Sequence, residues 1–234
     1  MNELNILLTT AITIAFVHTL IGVDHYVPFI ALSRANHWTM KRTLLIVLVC
    51  GIGHVLASIA LGFAGIGLSA GVSFLVDIED IRGDLATWFL IAFGLVYTVY
   101  GLRNAVKNKT HSHITPDGRT ILHAHSRTGG EHQHHETKRK RNNAFWGMFI
   151  ILVLGPCEPL IPILMYPAAT HNPLALVFVT ALFAACTVAT MLLMTFLGVK
   201  GIRLLKVDKL ERYMHLLAGS AILGCGILLL LLPI

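Results

Sequence analysis

The chain has 234 residues, of which 55% are hydrophobic and only 13% charged, with a mean hydropathy of +0.72. Soluble domains carry about 25% charged residues, so a water-soluble globular fold is excluded and a lipid bilayer is the expected solvent. The formal net charge is +6, yet the basic residues are not interleaved with aromatics, which argues against a nucleic-acid partner.

A spanning helix needs roughly 20 mostly apolar residues, because hydrocarbon offers no partner to a free backbone N–H or C=O. Six such runs occur, at residues 4–32, 43–70, 86–102, 144–168, 174–199 and 214–233. They are continuously apolar rather than alternating, which disfavours a β-barrel. The first run lacks a basic start and a small-residue cleavage site, so it is expected to stay as a span.

That first run carries His18-Thr19-Leu20-Ile21-Gly22-Val23-Asp24-His25, followed by Pro28. Proline lacks an amide hydrogen and clashes with the preceding turn, so the span should break near Gly22 and free carbonyls there. An ionised group at such depth costs roughly 2.5 to 3.5 kcal/mol on insertion scales and marks a functional position. On an unbroken helix His18 and His25 would share a face about 10 Å apart, too far for one ion. Either Gly22 unwinds the helix and brings the rings together, or Asp24 and His25 alone join a ligand from another span. The second run supplies that ligand in His54, midway along Gly51-Ile52-Gly53-His54. Gly51, Gly53, Gly62, Ala57 and Ser58 would let neighbouring helices approach closely.

Acidic Asp77, Glu79, Asp80 and Asp84 precede the third run and are expected to face outward. After it, residues 103–143 form a polar stretch holding His111, His113, His123, His125, His132, His134 and His135. Repeated His-x-His spacing offers neutral imidazoles, so this loop is an expected auxiliary metal site. Its affinity should be modest, because a flexible chain loses entropy on wrapping an ion. The fourth run contains Gly155-Pro156-Cys157-Glu158-Pro159, then Pro162, and should also break. Cys157 and Glu158 are candidate contributors to the same site. Met191 and Met194 in the fifth run read as packing, and His171 and His215, near span ends, as structural.

Of the 18 Lys and Arg residues, three lie between the first two runs, nine in residues 103–141 and five in 200–212, with only Arg82 on the opposite side. The positive-inside rule then makes those three loops cytoplasmic and both termini exterior, as in a bacterial-type inner membrane. Three spacings recur in chain order. Cys50-x3-His54-x7-Gly62 returns as Cys186-x3-Thr190-x7-Gly198, Gly22-Val23-Asp24-His25 aligns with Gly155-Pro156-Cys157-Glu158, and Gly94-x6-Gly101 with Gly219-x6-Gly226. An odd number of spans per repeat requires inversion. The expected architecture is an all-α membrane protein of six transmembrane helices: a three-helix repeat at 1–104, the His-rich loop at 105–143, and an inverted repeat at 144–234. First and fourth helices are broken, and Asp24-His25 should converge with Cys157-Glu158.

The His-x5-Asp-His element, the His54 span, the Gly-Pro-Cys element and the His-rich loop together resemble the nickel/cobalt transporter families. These include the NicO-type exporters and membrane homologues of urease accessory proteins, and the resemblance covers nearly the whole chain. It implies movement of Ni²⁺ or Co²⁺, with His18, Asp24, His25 and His54 as path residues. Imidazole with carboxylate and a thiolate suits Ni²⁺, Co²⁺, Zn²⁺ or Fe²⁺ over Mg²⁺ or Ca²⁺. The expectation is therefore a transporter, with efflux as the expected direction, that needs no resident cofactor and has the ion and the bilayer as its partners. Two rivals belong to other classes. A thiol-redox carrier of the cytochrome-biogenesis kind would have a proline-flanked cysteine like Cys157 but also a second one in the first span, where there is none. A proton-coupled exporter of a small solute or anion would show a basic residue within a span, and the runs contain none. The absence of H-E-x-x-H and of a Ser-His pair argues against an enzyme.

Overall fold

The computed structural model describes residues 3–67, 71–107, 111–114, 120–123, 143–157, 159–170, 172–204 and 208–232. Five helices among them are long and apolar enough to cross a membrane, and the protein is a multi-pass membrane protein. Its flanks are covered with exposed large apolar side chains such as Val96 (68% exposed) and Leu174 (71% exposed). A soluble monomer rarely leaves so wide an apolar surface in water.

Helix α1 spans Glu3–Ile21 and ends where glycine and proline predict. Gly22 takes ψ of 89°, a one-turn 3₁₀ segment follows at Val23–His25, and α2 restarts over Val27–Ala35 with Pro28 in its first turn. Proline is tolerated there because a first-turn amide has no helical acceptor. Only glycine fits at position 22, because a Cβ would collide with the His25 ring folded back over it.

Helices α3 (Met40–Gly67) and α4 (Val72–Lys107) follow. The 36 residues of α4 make it about 54 Å long, well beyond the hydrocarbon thickness. It begins at Val72 and not at Ala86, so Asp77, Glu79, Asp80, Arg82 and Asp84 belong to the helix. This corrects the expectation that the four acids lie before the third helix, and Glu79 among them is completely buried. It also corrects the expectation of no basic residue within a span, since Arg82 lies inside this long apolar helix. Two short strands, β1 (His111–Ile114) and β2 (Thr120–His123), pair antiparallel with His111 opposite His123.

The fourth apolar run divides into α5 (Asn143–Leu154) and α6 (Leu160–Ala169), each too short to cross alone. Then come α7 (Pro173–Leu204), a 3₁₀ segment at Asp208–Tyr213 and α8 (Met214–Leu231). Packing is close wherever glycines face a neighbour. A Cβ on Gly53 would press on Phe149 and Val153 of α5, and one on Gly62 on Leu164 of α6. Helices α4 and α8 run antiparallel in backbone contact: Gly94 meets Leu223 and Gly101 meets Leu216, while Gly219 meets Thr98 and Gly226 meets Ile91. Such close approach lets dispersion forces hold helices together where the lipid supplies no hydrophobic drive. One core cluster gathers Phe29, Val47, Met191 and Ile222, with Met191 fully buried as packing. A second gathers Ala11, Ala15, Cys157, Leu164 and Phe183.

Candidate functional site

The interruption at Gly22 builds the site. His18 sits in the last turn of α1, and the 3₁₀ segment swings His25 back so that the two rings lie 5.3 Å apart between centres. Of the two options left by the spacing, the structure takes the unwound one. His54, from the middle of α3, brings its ring to 5.1 Å from that of His25. The rings stand edge to face, at 78° and 85°, so three imidazoles from α1, the 3₁₀ segment and α3 form a continuous row.

Hydrogen bonds decide which nitrogen each ring presents. His54 Nδ1 lies 2.8 Å from the Leu152 carbonyl, and His25 Nδ1 lies 3.1 Å from the Gly22 carbonyl. A carbonyl can only accept, so both Nδ1 atoms carry the hydrogen and both Nε2 atoms are left with a bare lone pair. The Asp24 carboxylate approaches His25 Nδ1 to 3.2 Å. The Nε2 atoms of His18, His25 and His54 are all buried and have no hydrogen-bond partner. Three unpartnered ring nitrogens in one place are costly, since each loses its water without replacement. Even so, no group of three or more His, Cys, Asp or Glu among the described residues is gathered tightly enough to hold an ion as it stands.

The row opens onto a cavity of about 370 Å³, lined by His18, Asp24 and His25 on one side and by Asp80, Asp84 and Thr87 of α4 on the other. Its floor is the second interruption, at Gly155 and Pro156. There the freed backbone groups are met by side chains from other helices. Arg82 donates to the carbonyls of Val153 (3.0 Å) and Gly155 (3.3 Å), to Ser58 Oγ (3.4 Å) and to Glu79 (2.5 Å). Glu79 in turn accepts the amide hydrogen of Cys157 at 3.2 Å. Sequence reasoning missed this pair. Its signal was the three-residue spacing of Glu79 and Arg82, which puts them on one helical face, hidden in a cluster of charges that resembled a loop.

The candidate residues therefore separate. His18, Asp24, His25 and His54 come together. Cys157 is fully buried in the apolar cluster with Ala11, Ala15 and Phe183, and Gly155 and Pro156 rather than Cys157 form the cavity wall. Glu158, His171, His125, His132, His134 and His135 lie outside the described residues, and His111, His113 and His123 are described only through the backbone of the β pair. His215 accompanies Tyr97 and Tyr100, with Tyr97 Oη 3.0 Å from its Nδ1, in keeping with a structural role.

The family described as cytochrome c biogenesis protein transmembrane region matches residues 27–228. No curated protein and no solved structure matches the chain. The matched span takes in His54, Glu79, Arg82 and Cys157 and stops short of His18, Asp24 and His25. It lends no support to membership of the nickel/cobalt transporter families. The description favours the thiol-redox reading over metal transport.

Proposed function

The chain belongs to the cytochrome c biogenesis protein transmembrane region family, and within it we propose a member that passes a divalent transition-metal ion such as Ni²⁺ or Co²⁺ across the membrane. The observation that carries this reading is the row of three imidazoles whose buried Nε2 atoms have no partner, beside Asp24. Metal-ligating histidines typically donate the other ring hydrogen to a carbonyl or carboxylate, as His25 and His54 do here. Two imidazoles on one tetrahedral ion at about 2.1 Å would stand about 5 Å apart between ring centres, which is the spacing of neighbouring rings here. Asp24 supplies negative charge against the ion, and the imidazoles select borderline metals over Mg²⁺ and Ca²⁺.

In this reading the membrane is crossed six times, with α1–α2 and α5–α6 each forming one interrupted span. Supporting an inverted repeat, the glycine contacts exchange: Gly94 faces Leu223 as Gly219 faces Thr98, and Gly101 faces Leu216 as Gly226 faces Ile91. Likewise Gly62 of α3 abuts α6, and Gly198 of α7 abuts Ile30 of α2. Basic residues assign the 103–143 loop to the cytoplasm of an inner membrane, where its histidines would gather ions for efflux. Arg82 does not favour an anion substrate, because its guanidinium is committed to Glu79, Ser58 and two carbonyls.

A second reading, thiol-redox transfer, draws on the family description and on Cys157 at the break between α5 and α6. Against it, the first span carries Asp24-His25 and no cysteine. The deciding experiment is metal flux into reconstituted vesicles for wild type, Asp24→Asn, His54→Ala and Cys157→Ser, with thiol redox state followed in parallel. Loss of flux in the first two variants and its survival in the third is expected. Normal flux in Asp24→Asn with a dead, redox-dependent Cys157→Ser would replace the metal reading with the thiol one.

A further inference from the structure

Helix α4 turns an acidic face toward the imidazoles that the proposed transport reading does not use. Asp80, Asp84 and Thr87 follow one another at four- and three-residue spacing, which stacks them along one side of the helix, and all three line the 370 Å³ cavity. Gly83 lies among them without a side chain, and a Cβ there would approach Pro156 to 3.0 Å. The cavity floor and α4 are thus held in contact. Like charges four apart on a helix repel, and both carboxylates are exposed.

Among the described residues no ion pair offsets these carboxylates. The ion pairs among the described residues join His25 to Asp24 and Arg82 to Glu79. Arg82, two residues from both Asp80 and Asp84, is bonded instead to Glu79, Ser58 and the carbonyls of the second break. Across the same cavity His25 is only 3% exposed and its Nε2 has no hydrogen-bond partner. A cavity of about 370 Å³ has room for about a dozen waters at roughly 30 Å³ each, enough for an ion that keeps its first hydration shell.

We propose that Asp80 and Asp84, with Thr87, form a second cation site: a vestibule that holds a hydrated divalent ion between α4 and the Asp24–His25 turn. The site rests on the transport reading for its purpose but is built from different residues. Carboxylate, hydroxyl and water are oxygen donors with little preference among divalent ions, whereas the imidazole row is selective. Holding at Asp80 and Asp84 is therefore unselective and charge-driven, whereas selection belongs to His25 and His54. On the charge distribution of the loops, the vestibule faces the exterior, so in efflux it is the last stop before release.

The test uses the full chain in lipid nanodiscs with two probes, Mn²⁺ followed by electron paramagnetic resonance and Co²⁺ followed by its visible absorption on imidazole coordination. Asp80→Asn/Asp84→Asn should weaken Mn²⁺ binding about tenfold or more, while His54→Gln should lose the Co²⁺ spectrum and keep the Mn²⁺ site. Asp80→Glu/Asp84→Glu should retain Mn²⁺, which separates loss of ligands from loss of fold. Equal Mn²⁺ binding by wild type and the double Asn variant overturns the vestibule, as does loss of Mn²⁺ in the double Glu variant. Mn²⁺ binding that needs Asp80 and Asp84, in a wild-type protein with no imidazole-type Co²⁺ spectrum, leaves the vestibule standing and removes the transport reading instead.

Discussion

The two helix interruptions differ in who satisfies them. Around Gly22 the chain supplies its own groups: His25 bonds back to the Gly22 carbonyl, Asp24 lies beside it, and three Nε2 atoms are left without partners. Around Gly155 the backbone is gripped from outside, by His54 on Leu152, Arg82 on Val153 and Gly155, and Glu79 on Cys157. The same rupture thus yields an open set of ligands in one place and a closed structural joint in the other. His54 belongs to both, since its Nδ1 holds the second break while its Nε2 faces the first.

The largest effect should come from breaking the open side. Asp24→Asn is expected to cut metal affinity and flux by about a hundredfold or more, by removing the carboxylate behind His25, while insertion in the membrane stays normal. Flux in vesicles and protein yield measured together check this, and wild-type flux would show that the first break is as structural as the second. The closed side should instead respond in stability. Arg82→Ala leaves the buried Glu79 carboxylate uncompensated and should destabilise the protein by about 3–5 kcal/mol. Glu79→Gln/Arg82→Met should recover much of that loss in a thermal-melt series. An Arg82→Ala protein that melts normally but no longer transports would move Arg82 from the joint to the path.

Acidity should sharpen the same contrast more gently. A ligating imidazole must be neutral, so protons compete with the metal and binding should weaken as the pH falls. A Co²⁺ titration at several pH values checks this, and affinity that does not change with pH would remove the imidazoles from the ion's shell. The smallest effect is expected from deleting residues 110–135, which should lower flux about two- to fivefold by reducing the local supply of ion, with a residual rate remaining. Complete loss in a properly inserted deletion variant would place the essential ligands in the loop.

Much of the first break could be read in the chain itself. Gly22 and Pro28 act through covalent geometry, and a histidine or aspartate inside an apolar run is conspicuous wherever it lands. The start of α4 could not be read that way. Five charged residues between Asp77 and Asp84 depress local hydropathy as a loop would, although one helical face turns Glu79 and Arg82 inward and another turns Asp80 and Asp84 to the cavity. Cys157 was visible as a proline-flanked cysteine, but its placement among Ala11, Ala15 and Phe183 depends on how α1 and α7 pack.

By itself the sequence determined the solvent, the apolar runs, the places where helices must break and the residues that bear ligand chemistry, because these follow from composition and from the backbone limits of glycine and proline. Only the tertiary structure decided that His18, His25 and His54 form one row, that Leu152 orients His54, and that Glu79 and Arg82 close the second break. Those outcomes depend on contacts between residues tens of positions apart, set by the glycine-mediated approach of whole helices, and no local pattern encodes which face meets which.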